Sequence, residues 1–228
     1  MDTFFRFPQT PHLAWLGDQM PRDDKLLSAK EHDALLSGIV HVEEKLDGAN
    51  LGISLAGDSG IRVQNRGQYL STPWNGQFSR LGAWLAERED ALANALGPGL
   101  ILFGEWCAAR HTVTYEALPD WFLAFDIYDL VRECFWSRER LRALCTDIGI
   151  TEVPYIGAGH WTLGGLARLV ENQKSAFGAE PVEGLVIRLD EGGWLKSRAK
   201  LVRPKFTQSM GEHWSHRTIQ WNSVRSGG

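Results

Sequence analysis

The stretch Val42-Glu43-Glu44-Lys45-Leu46-Asp47-Gly48-Ala49-Asn50-Leu51 constrains the fold more than any other part of the chain. Asp-Gly between two strand-like runs is a strong turn signal, because both residue types tolerate the backbone that a tight reversal needs. It predicts a strand from Ile39 to Lys45, a turn, and a second strand in which Leu51, Ile53 and Leu55 alternate with Gly52 and Ser54. Gly57-Asp58-Ser59-Gly60 is another turn, and Ile61 to Arg66 a third strand, so three antiparallel strands are expected in a row. Lys45 then stands at a strand end, facing whatever lies above the turn. A covalent amine nucleophile would need that place. A solvated strand-end charge would occupy it equally well, and Lys-x-Asp-Gly is too short to separate the two.

The rest of the chain mixes strands and helices. Residues 1–27 read as irregular, with Pro8, Pro11 and Pro21. Ser28 and Glu31 make a capping-box pattern, predicting a short helix to about Ser37. Phe78, Leu81, Trp84, Leu85, Leu92 and Leu96 keep helical spacing and predict one long helix over 75–96, ended by Gly97-Pro98-Gly99. Leu100 to Phe103 and Trp121 to Tyr128 read as apolar strands, with helices after Ser137 and over roughly 162–177. Glu183 to Leu189 and Trp194 to Val202 are strands joined by a Glu191-Gly192-Gly193 turn, and the tail from Phe206 to Trp221 has helical character. No regular βαβ rhythm exists, which argues for one α+β domain with largely antiparallel sheets.

Composition narrows the classes. At 228 residues, 43% hydrophobic and 23% charged, the chain suits a single globular domain. It lacks the run of about 18 apolar residues that a membrane span needs, and Met1 to Arg6 does not resemble a secretory signal. Cys107, Cys134 and Cys145 are an odd number without metal-ligand spacing, so reduced thiols and a cytoplasmic location are expected. With a formal net charge of -4, any nucleic-acid contact must come from a local basic surface.

Five further stretches carry residue types that nucleotide chemistry would use. Arg62, Gln64 and Arg66 share one face of the third strand, near Asn50; they suit a phosphate or ribose, or a solvated sheet face. Glu105 closes an apolar strand, where a carboxylate suits a ribose hydroxyl or metal-bound water, or ends the strand in solvent. Phe125 offers a platform for a purine, or is an ordinary core aromatic. Glu183 has the parity of Leu185 and Ile187 and so points to the apolar side, where a metal-water or ribose contact would account for it. Lys196, Arg198 and Lys200 share one strand face, followed by Arg203 and Lys205; a triphosphate would neutralise them, and a solvated basic edge strand is the alternative.

Taken in order, the segments Glu-Lys-Leu-Asp-Gly-Ala-Asn, Asn-Arg-Gly, Phe-Gly-Glu-Trp, Ala-Phe-Asp-Ile-Tyr, Glu-Gly-Leu-Val-Ile-Arg and Ala-Lys-Leu-Val-Arg-Pro-Lys-Phe resemble the covalent nucleotidyltransferase superfamily. The version present, from Val42 to Phe206, is most similar to ATP-dependent RNA ligases of the RNA ligase 2 group. The resemblance implies an ATP-grasp-like adenylylation domain over 28–206, of two mainly antiparallel sheets flanked by helices, between an irregular segment 1–27 and a short tail 207–228. It implies Lys45 as the nucleophile that becomes lysyl-AMP. Glu44 would contact adenine, Asn50, Arg66 and Glu105 the ribose and phosphates, and Phe125 would stack. Glu183 and Glu105 would meet a Mg²⁺ or Mn²⁺ ion through water, and Lys200 would hold phosphate, with Lys196 a rival. The family's next lysine falls on Val202, which leaves Arg203 as a substitute. Nearby Lys200 and Arg66, with a divalent metal, would lower the amine's ordinary pKa of about 10.4. AMP would pass from Lys45 to a 5′-phosphate of RNA, and a 3′-hydroxyl would seal the strand. About 20 residues follow Phe206, too few for the OB domain of DNA ligases or the C-terminal domain of RNA ligase 2. The tail around Glu212 to Arg217, the aromatic-rich N-terminus or a partner protein is expected to supply that grip. A DNA ligase, a capping-type guanylyltransferase and a nucleotide-binding module without sealing activity are the alternatives.

Overall fold

The computed structural model describes residues 4–17, 24–57, 60–204 and 218–225. Helix α1 (Ala29–Leu36) forms where its cap places it, with Glu31 N donating to Ser28 Oγ at 3.3 Å and Ser28 N to the Glu31 carboxylate at 2.9 Å. Strands β1 (Val40–Lys45), β2 (Ala49–Leu55), β3 (Ile61–Gln64) and β4 (Tyr69–Leu70) follow. The expected helix over 75–96 is three pieces: a 3-10 turn at Gly76–Phe78, α2 (Leu81–Ala86) and α3 (Glu89–Ala95). Arg88 breaks it, with φ near −127° and its guanidinium drawn to Asp120 at 3.0 Å. The apolar spacing survives the breaks because Leu81, Trp84 and Leu92 all pack on one core. Then come β5 (Leu100–Trp106), β6 (Phe122–Asp129), β7 (Cys134–Phe135), α4 (Arg138–Asp147), β8 (Tyr155–Gly159), α5 (Leu163–Asn172), β9 (Gly184–Glu191) and β10 (Trp194–Val202). The two-residue strands β4 and β7 are too short to show a period, and β8, Tyr-Ile-Gly-Ala-Gly, shows none.

The strands make two antiparallel sheets, in the orders β10-β9-β1-β8 and β4-β3-β2-β5-β6-β7. This overturns the expected three-stranded run. β1 pairs with β8 and β9, whereas β2 pairs with β3 and β5. The Asp47-Gly48 turn therefore carries the chain from one sheet to the other. Three hydrogen bonds hold it there: Asp47 accepts from Thr112 N at 2.6 Å and Val113 N at 2.8 Å, and Gly48 N donates to Glu105 at 3.0 Å. A Cβ at Gly48 would lie 2.6 Å from the Trp106 carbonyl, so the crossing needs glycine for close approach.

Each sheet buries its outer face under helices. Leu35 of α1 and Leu166 and Val170 of α5 cover Val40, Val42, Leu185, Ile187 and Leu201. Leu81, Trp84 and Leu92 of α2 and α3, with Leu141 and Cys145 of α4, cover Leu51, Ile53, Leu102 and Phe122. Each such fully buried side chain contributes about 1.5–3 kcal/mol. The inner faces enclose a cavity. The N-terminal segment closes one side of it: Phe7 packs 4.8 Å from Phe103, and Leu13 N and Lys200 N bond to Lys200 O and Pro11 O, covering the edge of β10. Residues 218–225 return across the loop after β5, where buried Asn222 accepts from Tyr115 N and donates to Cys107 O. No helix forms there, and the part of the expected helical tail at 206–217 lies outside the described residues.

Candidate active site

Lys45 is the last residue of β1, and alternation puts Glu43 and Lys45 on the inner face of their sheet while Val42 enters the helix-covered core. The ammonium lies 2.6 Å and 2.7 Å from the two oxygens of Glu183. Glu105, across the turn on β5, and Asp47 complete the charge around it. All four line a cavity of about 800 Å³. Burial raises Glu105 to about 7 and Glu183 to about 7, against the pull of Lys45. For Lys45, burial favours the neutral amine, but Glu183 and then Glu105 outweigh it and raise the pKa. One cation among three carboxylates leaves surplus negative charge, so protons are retained. The expected depression of the amine relied on Lys200, Arg66 and a divalent metal together; in the protein alone the carboxylates dominate, and Lys200 does not line the cavity.

The cavity wall gathers Glu44, Lys45, Asn50, Arg66, Glu105, Phe125 and Glu183. Asn50 sits opposite Glu105 in the β2–β5 ladder, with its Oδ1 buried and unpartnered among the described residues. Glu44 accepts from Ala176 N at 2.9 Å, and its second oxygen is likewise unpartnered. Phe103 pairs with Asp126 and Gly104 with Ala124, so Phe125 falls in a bulge. The bulge lets both Phe125 and Asp126 reach the inner face. Phe7 meets Phe125 edge-on at 5.4 Å.

Several placements differ from expectation. β3 ends at Gln64, so Arg66 is an exposed residue of the turn before β4, not a strand residue. Glu183 precedes β9, so the parity of Leu185 and Ile187 does not extend to it and its carboxylate turns to Lys45. The three cations of β10 are dispersed. The register shifts between Leu195 and Ser197, which leaves Lys196 in a bulge, paired at the surface with Glu191 at 2.8 Å. Arg198 goes to Asp126. Lys200 donates to Asp24 at 3.1 Å, does not line the cavity, and shares that carboxylate with buried His12. Their neutralising anions are the protein's own carboxylates. Arg203 follows β10, its N–H donating to Glu183 O at 3.0 Å. Lys205 lies outside the described residues.

Sequence reasoning missed Glu43, Arg188, Asp126 and His111, which also line the cavity, as does Arg198. Glu43 was findable, two residues before Lys45 on the same face. It pairs with Arg138 at 3.1 Å, and burial raises it to about 7. Arg188 of β9 joins Asp126 of β6 at 2.7 Å, tying the two sheets together. His111, on a loop and 2.8 Å from Gln77 Oε1, carries no sequence signal.

Among the described residues no group of three or more His, Cys, Asp or Glu side chains could hold a metal ion. The surplus negative charge of Glu105 and Glu183 nonetheless fits a hard divalent cation that takes the rest of its oxygens from water and substrate.

A protein-family model for RNA ligase matches residues 38–202. No curated protein matches the chain in sequence. The fold is similar to that of a Naegleria gruberi RNA ligase mutant with ATP and Mn, at TM-score 0.64 and 17% identity over 92% of this chain and 59% of that one. It is similar to the same enzyme with pyrophosphate, at 0.62 and 19% over 91% and 64%. It also resembles an archaeal ATP-dependent RNA ligase, at 0.61 and 19% over 88% and 49%. The chain thus spans between half and two thirds of those proteins. Because the family match runs through both sheets and most of the sequence, from before β1 to the end of β10, the chain belongs to the RNA ligase family.

Proposed function

We propose that the protein is an ATP-dependent RNA ligase that adenylylates itself on Lys45, passes AMP to a 5′-phosphate of RNA and seals that end to a 3′-hydroxyl. The observation that carries this reading is the Lys45 ammonium on the cavity wall, 2.6 Å from Glu183 and flanked by Glu105. A lysine nucleophile must be held in place and must lose its proton. Glu183 supplies the first condition, and as a buried carboxyl raised to about 7 it is also the nearest proton acceptor. The amine then attacks the α-phosphorus, a phosphoramidate forms and pyrophosphate leaves. Phe125 and Val186 on the cavity wall offer apolar surfaces for the base, and Asn50 Oδ1 an unused acceptor. Arg66, exposed on the turn, lines the same cavity and would meet phosphate there. A divalent ion beside Glu105 and Glu183 would supply neutralisation of phosphate charge. The Naegleria enzyme's structure with ATP and Mn supports that pairing of nucleotide and metal.

The test is intact mass after incubation with Mg²⁺ and ATP, GTP or NAD. The expected result is a gain of one AMP from ATP, mapped to the Lys45 peptide and absent in Lys45→Ala. A GMP adduct would make the protein a guanylyltransferase, and no adduct at all a nucleotide-binding module. Sealing of nicked RNA against nicked DNA then assigns the polymer.

A further inference from the structure

We infer that Arg80, stacked between Trp121 and Trp221, is a phosphate clamp for the RNA strand at the rim of the cavity, with the outer face of Trp221 a platform for an unpaired base. The choice of RNA as occupant rests on the ligase reading above. The Arg80 guanidinium carbon lies 4.8 Å from the Trp121 ring centroid and 4.5 Å from that of Trp221. Two indole rings thus lie against one guanidinium group, whose N–H edge is the side suited to a phosphate. Arg88, Arg132, Arg138, Arg188 and Arg198 each hold a carboxylate. Arg80 holds none among the described residues. The nearby acid, Asp120, is already engaged by Arg88 at 3.0 Å, Trp84 Nε1 at 2.8 Å and Trp121 N at 2.7 Å. A guanidinium fixed in plane and lacking a counter-ion is prepared for bidentate phosphate contact, because little freedom is lost on binding.

Trp221 is 37% exposed, yet it is held in place. It bridges to Ala109, and its neighbours Gln220 and Asn222 bond to Arg110 and to the loop after β5. Exposed Arg110 adds a second cation, bonded only to Gln220 at 3.3 Å among the described residues. The patch is continuous with the cavity. Gln77, three residues before Arg80, and His111, next to Arg110, both line it and lie 2.8 Å apart. In a chain of net charge -4, a cationic aromatic surface beside the nucleophile suits a polyanion with accessible bases. A single-stranded end fits better than a duplex, because stacking on indole needs an unpaired base.

The experiment measures binding of a short 5′-phosphorylated single-stranded RNA across a salt series, beside AMP-adduct formation from ATP alone. Arg80→Gln is expected to weaken RNA binding about tenfold and flatten the log K against log salt slope by about 0.7, one phosphate contact. Trp221→Ala is expected to weaken binding about tenfold with the slope unchanged, and Trp221→Phe to retain most of it. Adduct formation stays within about twofold of wild type in all three variants, since none touches the nucleotide. Unchanged affinity and slope in Arg80→Gln would overturn the clamp, and so would loss of the adduct in that variant. If wild type forms no adduct while Arg80→Gln still loses RNA, the ligase reading falls and the clamp stands.

Discussion

At the residue scale the site is decided by a count of charges. Lys45 faces Glu183, Glu105 and Asp47, so the amine of the free protein holds its proton more firmly than an ordinary lysine despite burial. Glu183→Gln removes the largest of the carboxylate contributions. The amine should then titrate at lower pH, read from the pH dependence of Lys45 labelling by an acylating reagent in the absence of nucleotide. An unshifted profile would show that Glu183 does not set the charge of Lys45. Lys200 is a different case. Its partner is Asp24, and buried His12 lies on the same carboxylate. For Lys200 to meet phosphate it must leave Asp24. If it does so in the reaction, Lys200→Ala lowers the rate of adduct formation by at least tenfold at saturating ATP, as expected for a group that stabilises developing phosphate charge. An unchanged rate would leave Lys200 a structural partner of Asp24.

At the element scale two irregularities build the site. One is the crossing at Asp47-Gly48, which places the end of β1 against β5 of the other sheet. Gly48→Ala would set a Cβ 2.6 Å from the Trp106 carbonyl and 3.1 Å from Glu105 Cγ. The turn must shift, at about 1–3 kcal/mol of stability, and Glu105 must shift with it. Urea unfolding should show the loss, and adduct formation should fall further than stability alone explains. The other is the bulge at Phe125. Without it strict alternation would send Phe125 and Asp126 to opposite faces, and one of them would leave the cavity.

At the scale of the whole molecule, buried charge joins the two sheets. Asp126 of β6 lies between Arg188 of β9 and Arg198 of β10, all nearly inaccessible. Asp126→Asn would leave buried Arg198 without its counter-ion and Arg188 with only Asp190, 4.0 Å away, and should cost about 3–5 kcal/mol; a loss below about 1 kcal/mol in denaturant unfolding would show that the pair is dispensable. Buried carboxyls also set the pH dependence. Glu43, Glu105 and Glu183 are each raised from 4.5 to about 7. A carboxyl whose folded value lies above its unfolded value stabilises fully below 4.5, and that contribution is lost as pH rises through about 7. Thermal stability should therefore decline as pH rises from about 4.5 to about 7 and level off above it. Glu43→Gln, which removes one titrating group and keeps its shape, should make that decline shallower, seen by melting at a series of pH values.

Period and punctuation in the sequence determined the α+β character, the capped helices α1 and α4, the main strands and the ordered segments that mark the RNA ligase family, because those signals are local. Lys45, Glu105, Phe125 and Glu183 could be singled out by type and position in that order. Only the tertiary structure decided that β1 and β2 belong to different sheets, that Arg66 lies in a turn, and that Lys196, Arg198 and Lys200 part company along β10. Turn residues specify a reversal and not the strand that will be paired, and a bulge of one residue resets every face beyond it. Nor could any local pattern show that the charge surrounding Lys45 is negative, since the carboxylates that raise its pKa arrive from three separate places in the chain.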